Sequence, residues 1–326
     1  GKSGTLVVWS ILDRLKWTQA KTIYSNSEFL VGRMYRNWLT TDNKEGRSKA
    51  KIRLVSFDHD GKEERDKWWY KPNDPMYVLS RSSGMDSKTK RKIRFDSWGE
   101  TITKTYHIEN ASGETVEEEV KIRFTMASKD LREPFEGTDA GGLDYGQHAR
   151  KNIGVSIVRA GRELQLDSRF GVSKDPRNRW WGAEISFGPA MDDVFGVSNS
   201  KQRADDLSEN ANNDWEDFSI DNETWLQTKE RLEEENYPLF CCLDVVTTVT
   251  NNINKMMTTI GKARTSSKSG AKKRHADSPE RKGTEATKKR KVETGKEGDS
   301  DPEEELTKEE RMAKLREFLD DMELDS

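Results

Sequence analysis

Cysteine, proline and histidine are scarce in this sequence, and no long apolar run occurs. The only two cysteines, Cys241 and Cys242, are adjacent, a spacing that suits neither an ordinary structural disulfide nor the CxxC pair of a zinc site. The four histidines show no HExxH-like spacing, so the sequence offers no metal site. Because no run reaches about 18 apolar residues, a transmembrane helix is excluded, and Gly1–Ser10 lacks the apolar core of a secretory signal. We therefore expect a reduced, intracellular protein with no membrane partner.

Apolar residues are also few for a chain of this length. Of the 326 residues 32% are hydrophobic and 35% are charged, whereas an ordinary globular domain is roughly 25% charged. The length could hold two domains, but the apolar content cannot fill two full cores and every linker. We expect part of the chain not to fold on its own.

Charge is distributed unevenly towards the C-terminus. Residues 262–302 carry 13 Lys and Arg against 7 Asp and Glu, a net charge of +6, with almost no apolar side chain. Residues 303–326 carry 4 against 10, a net charge of -6. The first block cannot bury enough apolar surface to offset its ordering entropy, which predicts a disordered basic tail. The second opens with the capping-box pattern Thr307–Glu310 and places Met312, Leu315, Leu319 and Met322 on one face, which predicts an acidic amphipathic helix formed on a protein partner.

Residues 1–260 show alternating and helical periodicities that predict an α+β protein. A continuous apolar run from Leu6 to Leu12 predicts a buried strand. The other predicted strands are 52–57, 101–109, 117–127, 154–158, 162–166 and 180–187. The predicted helices are 19–40, capped by Ser25 or Ser27, then a short helix at 189–194, and 224–235 and 239–260. Ala160-Gly161 predicts a tight hairpin turn, and 196–202 a polar loop.

Aromatic pairs and basic clusters leave two interpretations open. Trp68-Trp69 and Trp180-Trp181 have cationic neighbours that suit base stacking, but packing in a core or between domains is favoured. Lys272–Arg274 and Lys288–Lys291 are typical of nuclear-import signals, of a tether on nucleic-acid phosphates, or simply of a solvated tail. The protein is thus expected in the cytoplasm if bacterial, and a nuclear location fits if it is eukaryotic.

Three ordered fragments carry more specific information, although no Walker loop, GxGxxG or GxSxG motif occurs. They are Gly4-Thr5-Leu6-Val7-Val8-Trp9, the segment Asn152 to Leu164, and Asn199-Ser200-Lys201-Gln202. In this order they resemble, over residues 3–205, the GHKL ATPases, most closely the MORC and MutL types. The fragments correspond in turn to the glycine-threonine strand closing the nucleotide pocket, the hairpin opening the transducer domain, and the transducer's lysine loop.

The resemblance implies a function and a division of the chain. It implies ATP binding and hydrolysis with Mg²⁺, coupled to interdomain or homodimer closure. Residues 1–90 would be the C-terminal part of a GHKL domain, 91–205 a transducer-like domain, 206–261 a helical extension, 262–302 the basic tail and 303–326 the acidic helix.

Site residues follow from the same resemblance. Lys201 would neutralise the γ-phosphate, with Gln202 beside it, and Gly4 and Thr5 would hold the adenine; the alternatives are a solvated loop lysine and a threonine without a ligand. The family's magnesium asparagine, its DxGxG aspartate and its lid normally precede the glycine-threonine strand, whereas only Gly1-Lys2-Ser3 precede it here. We expect the first half of the pocket to be missing, through a truncated record or a split ATPase, and no residue is named as catalytic base. The other class that stays open is a non-catalytic module binding nucleic acid or protein.

Overall fold

The computed structural model describes residues 4–8, 14–40, 50–58, 60–79, 93–109, 113–134, 139–170, 175–221 and 223–269, with only the backbone of 63–67 and 262–269. The chain divides into two compact units, 1–268 and 269–326. All that follows concerns the first unit and Ser269, since the acidic helix and most of the basic tail lie outside the described residues. The expected boundaries near residues 90 and 205 remain predictions.

The described part of the chain forms eight strands and seven α-helices, in agreement with the α+β class. The helices are α1 Ala20–Met34, α2 Arg36–Leu39, α3 Lys129–Arg132, α4 Asp144–Arg150, α5 Asp205–Glu209, α6 Trp225–Glu234 and α7 Phe240–Ser269. The strands are β1 Arg53–Phe57, β2 Glu63–Trp69, β3 Phe95–Ser97, β4 Ile102–Glu109, β5 Thr115–Ala127, β6 Val155–Arg159, β7 Arg162–Asp167 and β8 Trp181–Phe187.

Six strands form one mixed sheet in the order β3-β5-β8-β6-β7, with β4 also paired to β5. Only β6 and β8 pair in parallel, with Ser156 opposite Glu184 and Ile157 opposite Ile185. Because side chains alternate along a strand, Ser156 and Glu184 share one face and the two isoleucines share the other. Ile157 and Ile185 are fully buried, so the sheet contributes to the core through that face. Strands β1 and β2 form a separate antiparallel pair.

Helix α7 covers the β4–β5 part of the sheet. Its Asp244 accepts hydrogen bonds from Lys104 Nζ at 2.6 Å and from Tyr106 Oη at 2.8 Å. The ring of Phe240 meets that of Tyr106 edge-on. Six of its buried apolar residues recur every three or four positions, as expected for one face of a helix: Leu243, Val246, Val249, Ile253, Met256 and Ile260.

The β6–β7 hairpin confirms the turn predicted at Ala160-Gly161. Both residues have positive φ, 46° and 84°, as a two-residue type I′ turn requires. The predicted strands at 52–57, 101–109, 117–127 and 180–187, and the helices at 224–235 and 239–260, are also present.

Four expectations about elements need correction. The predicted buried strand is wrong at Leu6, Val7 and Val8, which are 86, 84 and 74% exposed and lie in no strand, because no strand of the described residues pairs with them. Residues 9–13 lie outside the described residues. The predicted caps are wrong as well: α1 begins after Gln19, and the Ser25 and Ser27 hydroxyls donate to carbonyls of the preceding turn.

The other two corrections concern element lengths. The helix expected over 189–194 is only a 3₁₀ turn, Pro189–Met191. Helix α7 continues to Ser269, past residue 262 where the disordered tail was expected to begin.

Candidate functional site

The loop that carries Lys201 is short and closed at its base. Val197 and Ala204 form an antiparallel bridge, and Ser198 N–H donates to the Arg203 carbonyl at 3.0 Å. Gly196 precedes the bridge with a φ of 62°, and a Cβ at this position would lie 2.5 Å from Asp206 Cγ. The loop therefore needs glycine at its entrance, both for the backbone angle and for space.

The backbone of Lys201 is held from two sides. Its N–H donates to the Ser198 carbonyl at 2.7 Å, and its carbonyl accepts a hydrogen bond from Arg162 Nη2 on β7. Its φ of 53° is uncommon for a residue with a side chain, and such angles persist where the surroundings determine them. The position of the Lys201 Cα is thus set by the hairpin β6–β7 and by its own loop.

The side chain of Lys201 has a single ionic partner among the described residues. Its Nζ lies 2.8 Å from Asp192 Oδ2, and the side chain is 40% exposed. Asp192 also accepts two hydrogen bonds from Arg159, from Nε at 2.6 Å and from Nη2 at 2.8 Å. Partial burial opposes ionisation of Asp192, but the hydrogen bonds and charges of Arg159 and Lys201 outweigh it and lower the pKa of the Asp192 carboxyl. The site is one carboxylate shared by two cations.

The other predicted site residues contribute less to this geometry. Gln202 lies on the same loop, exposed, with its N–H 3.4 Å from Ser198 Oγ. Gly4 and Thr5 are exposed and lie in no strand or helix. Apart from its chain neighbours, no described residue lies within 4 Å of the place where a Cβ of residue 4 would stand, so the described residues form no cradle there. It brings Lys201 and Gln202 together and leaves Gly4 and Thr5 apart.

A second set of charges, which the sequence analysis missed, lies where α2 contacts the β6–β7 hairpin and β8. Arg36 on α2 is 1% exposed. Its Nη1 donates to Glu163 Oε2 at 2.6 Å, and its Nη2 donates to Glu184 Oε2 at 2.7 Å and to Ser156 Oγ at 2.8 Å. Its Nε lies 3.8 Å from Asp74 Oδ1.

Two further arginines complete this cluster, and its charges are balanced. Arg33 pairs with Glu163 and Arg123 with Glu184, which gives three arginines against Glu163, Glu184 and Asp74. Burial opposes the charge of Arg36, but the three carboxylates outweigh it and raise its pKa. Burial likewise opposes ionisation of Glu184, and Arg36 and Arg123 lower its pKa. Arg36 and Glu184 are buried as charged groups, which is tolerated because each has partners of opposite charge.

The same hairpin joins the two sets of charges. Asn37, next to Arg36, donates from Nδ2 to the Gly161 carbonyl in the hairpin turn at 2.8 Å. Helix α2 therefore holds the hairpin at its turn and at Glu163, while Arg162 of the hairpin holds the Lys201 loop.

The sequence did contain a signal for the buried cluster. Glu184 stands in a strand whose other residues are mostly apolar, and carboxylates are almost never fully buried unless paired. That pattern predicts buried cationic partners, although it does not say which arginines supply them.

The tryptophan pairs differ from one another. Trp180 and Trp181 are buried, as the packing interpretation predicts. Trp68 is half-buried and lies 6.1 Å from the ring of Tyr24, whereas Trp69 is 48% exposed with Arg53 over its ring. Packing accounts for the second pair and for part of the first.

Comparisons of the chain with known protein families, with curated proteins and with solved structures find no match. Within the described ranges, no group of three His, Cys, Asp or Glu side chains is placed to hold a metal ion. Among the helices of those ranges, none combines the length and the apolar character needed to cross a bilayer.

Proposed function

We propose that this chain supplies the γ-phosphate lysine of a GHKL-type ATPase, with Lys201 as that residue. The observation that carries the proposal is a lysine whose backbone is anchored on two sides while its side chain stays 40% exposed. Such a residue presents a positive charge at a set position and can exchange its ionic partner without a change of fold.

Because Asp192 is the partner of Lys201 in this structure, the exchange has a low cost in free energy. When the ammonium leaves Asp192, the carboxylate keeps both hydrogen bonds from Arg159 and is not left uncompensated. A terminal phosphate carries more charge than one carboxylate and accepts strong charge-assisted hydrogen bonds. A phosphate brought to this loop can therefore take Lys201 from Asp192.

The described residues fit part of an ATP site. Lys201 matches the chemistry of a phosphate ligand, because a compact ammonium acts as a point charge on phosphate oxygens. Bound ATP with Mg²⁺ would supply the phosphoanhydride, the metal neutralising charge on the phosphate oxygens. In this proposal the magnesium asparagine and the DxGxG aspartate come from another segment or another polypeptide. The exposed apolar residues Leu6, Val7 and Val8 support this, since an apolar run of this kind needs cover.

Occupancy of the loop would be coupled to the N-terminal helices. A displacement of Lys201 would move Arg162, which binds the Lys201 carbonyl. Because Arg162 belongs to the β6–β7 hairpin, the movement would also reach Glu163 and the turn bound by Asn37. This connection supports a function in which nucleotide occupancy sets interdomain or dimer closure.

The test measures the chain alone and in the assembly that hydrolyses ATP. The chain alone is expected to bind Mg·ATP poorly, and micromolar affinity by calorimetry would show that the pocket has been misplaced. In the hydrolysing assembly, Lys201→Ala should lower turnover about a hundredfold and leave ADP affinity unchanged, because ADP lacks the contacted phosphate. Lys201→Arg should recover only part of the rate.

A matched control separates this effect from the loss of any surface ion pair. Lys121 is also an exposed lysine paired with a carboxylate, that of Glu119, and Lys121→Ala should leave turnover unchanged. Survival of turnover in Lys201→Ala would reject the γ-phosphate assignment.

The second candidate function, a nucleic-acid-binding module, is favoured by the 13 cations of residues 262–302. Cations that neutralise phosphates release counterions, so binding should fall steeply with salt. Removal of residues 262–326 should then abolish DNA and RNA binding, and removal of 303–326 alone should strengthen it. Unchanged binding after the larger deletion would reject this function.

A further inference from the structure

A half-open cleft of about 330 Å³ lies between α7 and the segment 212–216. Helix α7 lines it with Thr247, Thr250, Asn251 and Asn254, positions that share one face of a helix. The volume is at the lower end of the range of small-molecule sites, which begins at roughly 300 Å³. The cleft lies apart from Lys201, which is not among its lining residues.

One threonine that lines this cleft differs from the other described threonines of α7. Thr247 is 4% exposed, and its hydroxyl has no hydrogen-bond partner among the described residues. Four other threonines of α7 donate to carbonyls of their own helix: Thr248, Thr250, Thr258 and Thr259. The Thr247 Oγ1 is not among the fully enclosed polar atoms of the described residues, so water or a ligand can reach it. A ligand hydroxyl in the cleft would satisfy Thr247.

Four asparagines line the cleft; Asn213 donates from Nδ2 to Asn210 Oδ1 at 2.6 Å, and the two on α7 differ from their neighbour on the same helix. Asn252, which does not line the cleft, donates to the Thr248 carbonyl at 2.8 Å. Asn251 and Asn254, which do line it, have no side-chain hydrogen-bond partner among the described residues. Each free amide offers donors and an acceptor, so the wall suits a ligand whose groups both donate and accept.

The charge of the lining disfavours phosphates and carboxylates as ligands. Although 35% of the chain is charged, none of the lining residues is Lys, Arg or His. Asp214 and Glu216 are the charged residues of the lining, and both are acidic. An anionic ligand would meet repulsion with no compensating cation.

Four apolar residues also line the cleft: Phe170, Ala211, Trp215 and Ile253. Trp215 forms part of one wall, and Phe170 and Ile253, both buried, lie at the floor. We propose that the cleft binds an uncharged carbohydrate, whose ring has an apolar face for Trp215 and a rim of hydroxyls for Thr247, Asn251 and Asn254. Hydroxyls both donate and accept, as the amides require, and a sugar carries no charge to conflict with the acidic side chains.

Saturation-transfer difference NMR on the full chain tests this assignment. The probes are methyl α-glucoside, methyl α-mannoside, methyl β-galactoside, N-acetylglucosamine and their common uncharged disaccharides, with adenosine and uridine as competitors. At least one sugar should bind, and its dissociation constant should rise tenfold or more in Thr247→Val and in Asn251→Ala. The matched controls Thr259→Val and Asn252→Ala, on the same helix and outside the lining, should change it less than twofold.

Thermal unfolding separates ligand contact from structural damage. Thr247→Val keeps the shape and removes an unpartnered hydroxyl, so its unbound Tm should be unchanged or higher. Loss of sugar binding together with a preserved Tm supports the site. Absence of transfer from every sugar, equal binding by Thr247→Val, or a nucleoside bound in place of the sugars would each overturn it.

Discussion

Arg162 and Glu163 are neighbours on β7, and they hold different parts of the molecule. Arg162 donates to the carbonyl of Lys201 in the candidate phosphate loop, whereas Glu163 accepts from the buried Arg36 of α2. Successive side chains of a strand point to opposite faces, so one short strand connects two separate polar environments.

Removal of Arg36 should be among the most damaging single changes in the described part of the chain. Arg36→Met keeps the aliphatic stem but leaves Glu163 and Glu184 without their shared partner. Breaking a buried ion pair from one side lowers the free energy of unfolding by about 3–5 kcal/mol. Urea unfolding of the variant and of the wild type measures the difference.

The control for Arg36 is an exposed arginine in a comparable ion pair. Arg203 lies 2.9 Å from Asp205, with side chains 58 and 42% exposed, so Arg203→Met should change stability by about 1 kcal/mol or less. Similar losses in the two variants would mean that the buried cluster adds nothing beyond an ordinary surface pair.

His148 should make stability depend on pH between about 4 and 6.5. Burial, and to a smaller extent the charge of Lys151, lowers the pKa of His148 to about 4. In the unfolded chain the pKa is about 6.5, so the unfolded state binds more protons in this range and stability falls as the pH falls. Below about pH 4 both states carry the proton, and this contribution levels off.

The matching variant is His148→Asn, whose amide can take the place of Nδ1 beside the Tyr77 hydroxyl, 2.9 Å away in the wild type. Unfolding curves at half-unit steps from pH 4 to pH 7 should be distinctly flatter for the variant. An unchanged slope would mean that His148 is not the group that titrates.

The elements that sequence predicts well are those decided by local chemistry. Ala160-Gly161 dictates a tight turn, and the apolar spacing of α7 dictates a helix, so both could be recognised without knowledge of the rest of the fold. Strand β2, Glu63–Trp69, could not, because five of its seven residues are charged and its pairing with β1 decides its conformation. The strand prediction at Leu6 is wrong for a different reason. An apolar run indicates that its residues need burial, but it does not show which part of the molecule would bury them.

The candidate site shows the same division. Lys201 and Gln202 were found because they are adjacent in sequence, within a loop that a family resemblance marked. The residues that hold Lys201 lie outside its loop and reach it only in the folded chain: Asp192, Arg159 and Arg162. Arg36 looked like any helical arginine, since its three carboxylate partners lie on other elements.

Double-mutant cycles on Asp192 should show that this carboxylate binds its two cations unequally. The Arg159 pair is bidentate and less exposed, with side chains 22 and 14% exposed, whereas the Lys201 ammonium is a single contact on a half-exposed side chain. Hydrogen bonds to charged groups contribute about 1.5–3 kcal/mol, and exposed ion pairs about 0–1 kcal/mol. The coupling energy of Asp192→Asn with Arg159→Met should therefore exceed that with Lys201→Met by about 1 kcal/mol or more.

Urea unfolding of the single and double variants at pH 7 measures both coupling energies, and the measurement needs no nucleotide. A weak Lys201 coupling means that the ammonium is held loosely enough for a phosphate to take it. If the Lys201 coupling instead equals or exceeds that of Arg159, the lysine is a structural lock of its loop, and the exchange on which the phosphate proposal depends does not occur.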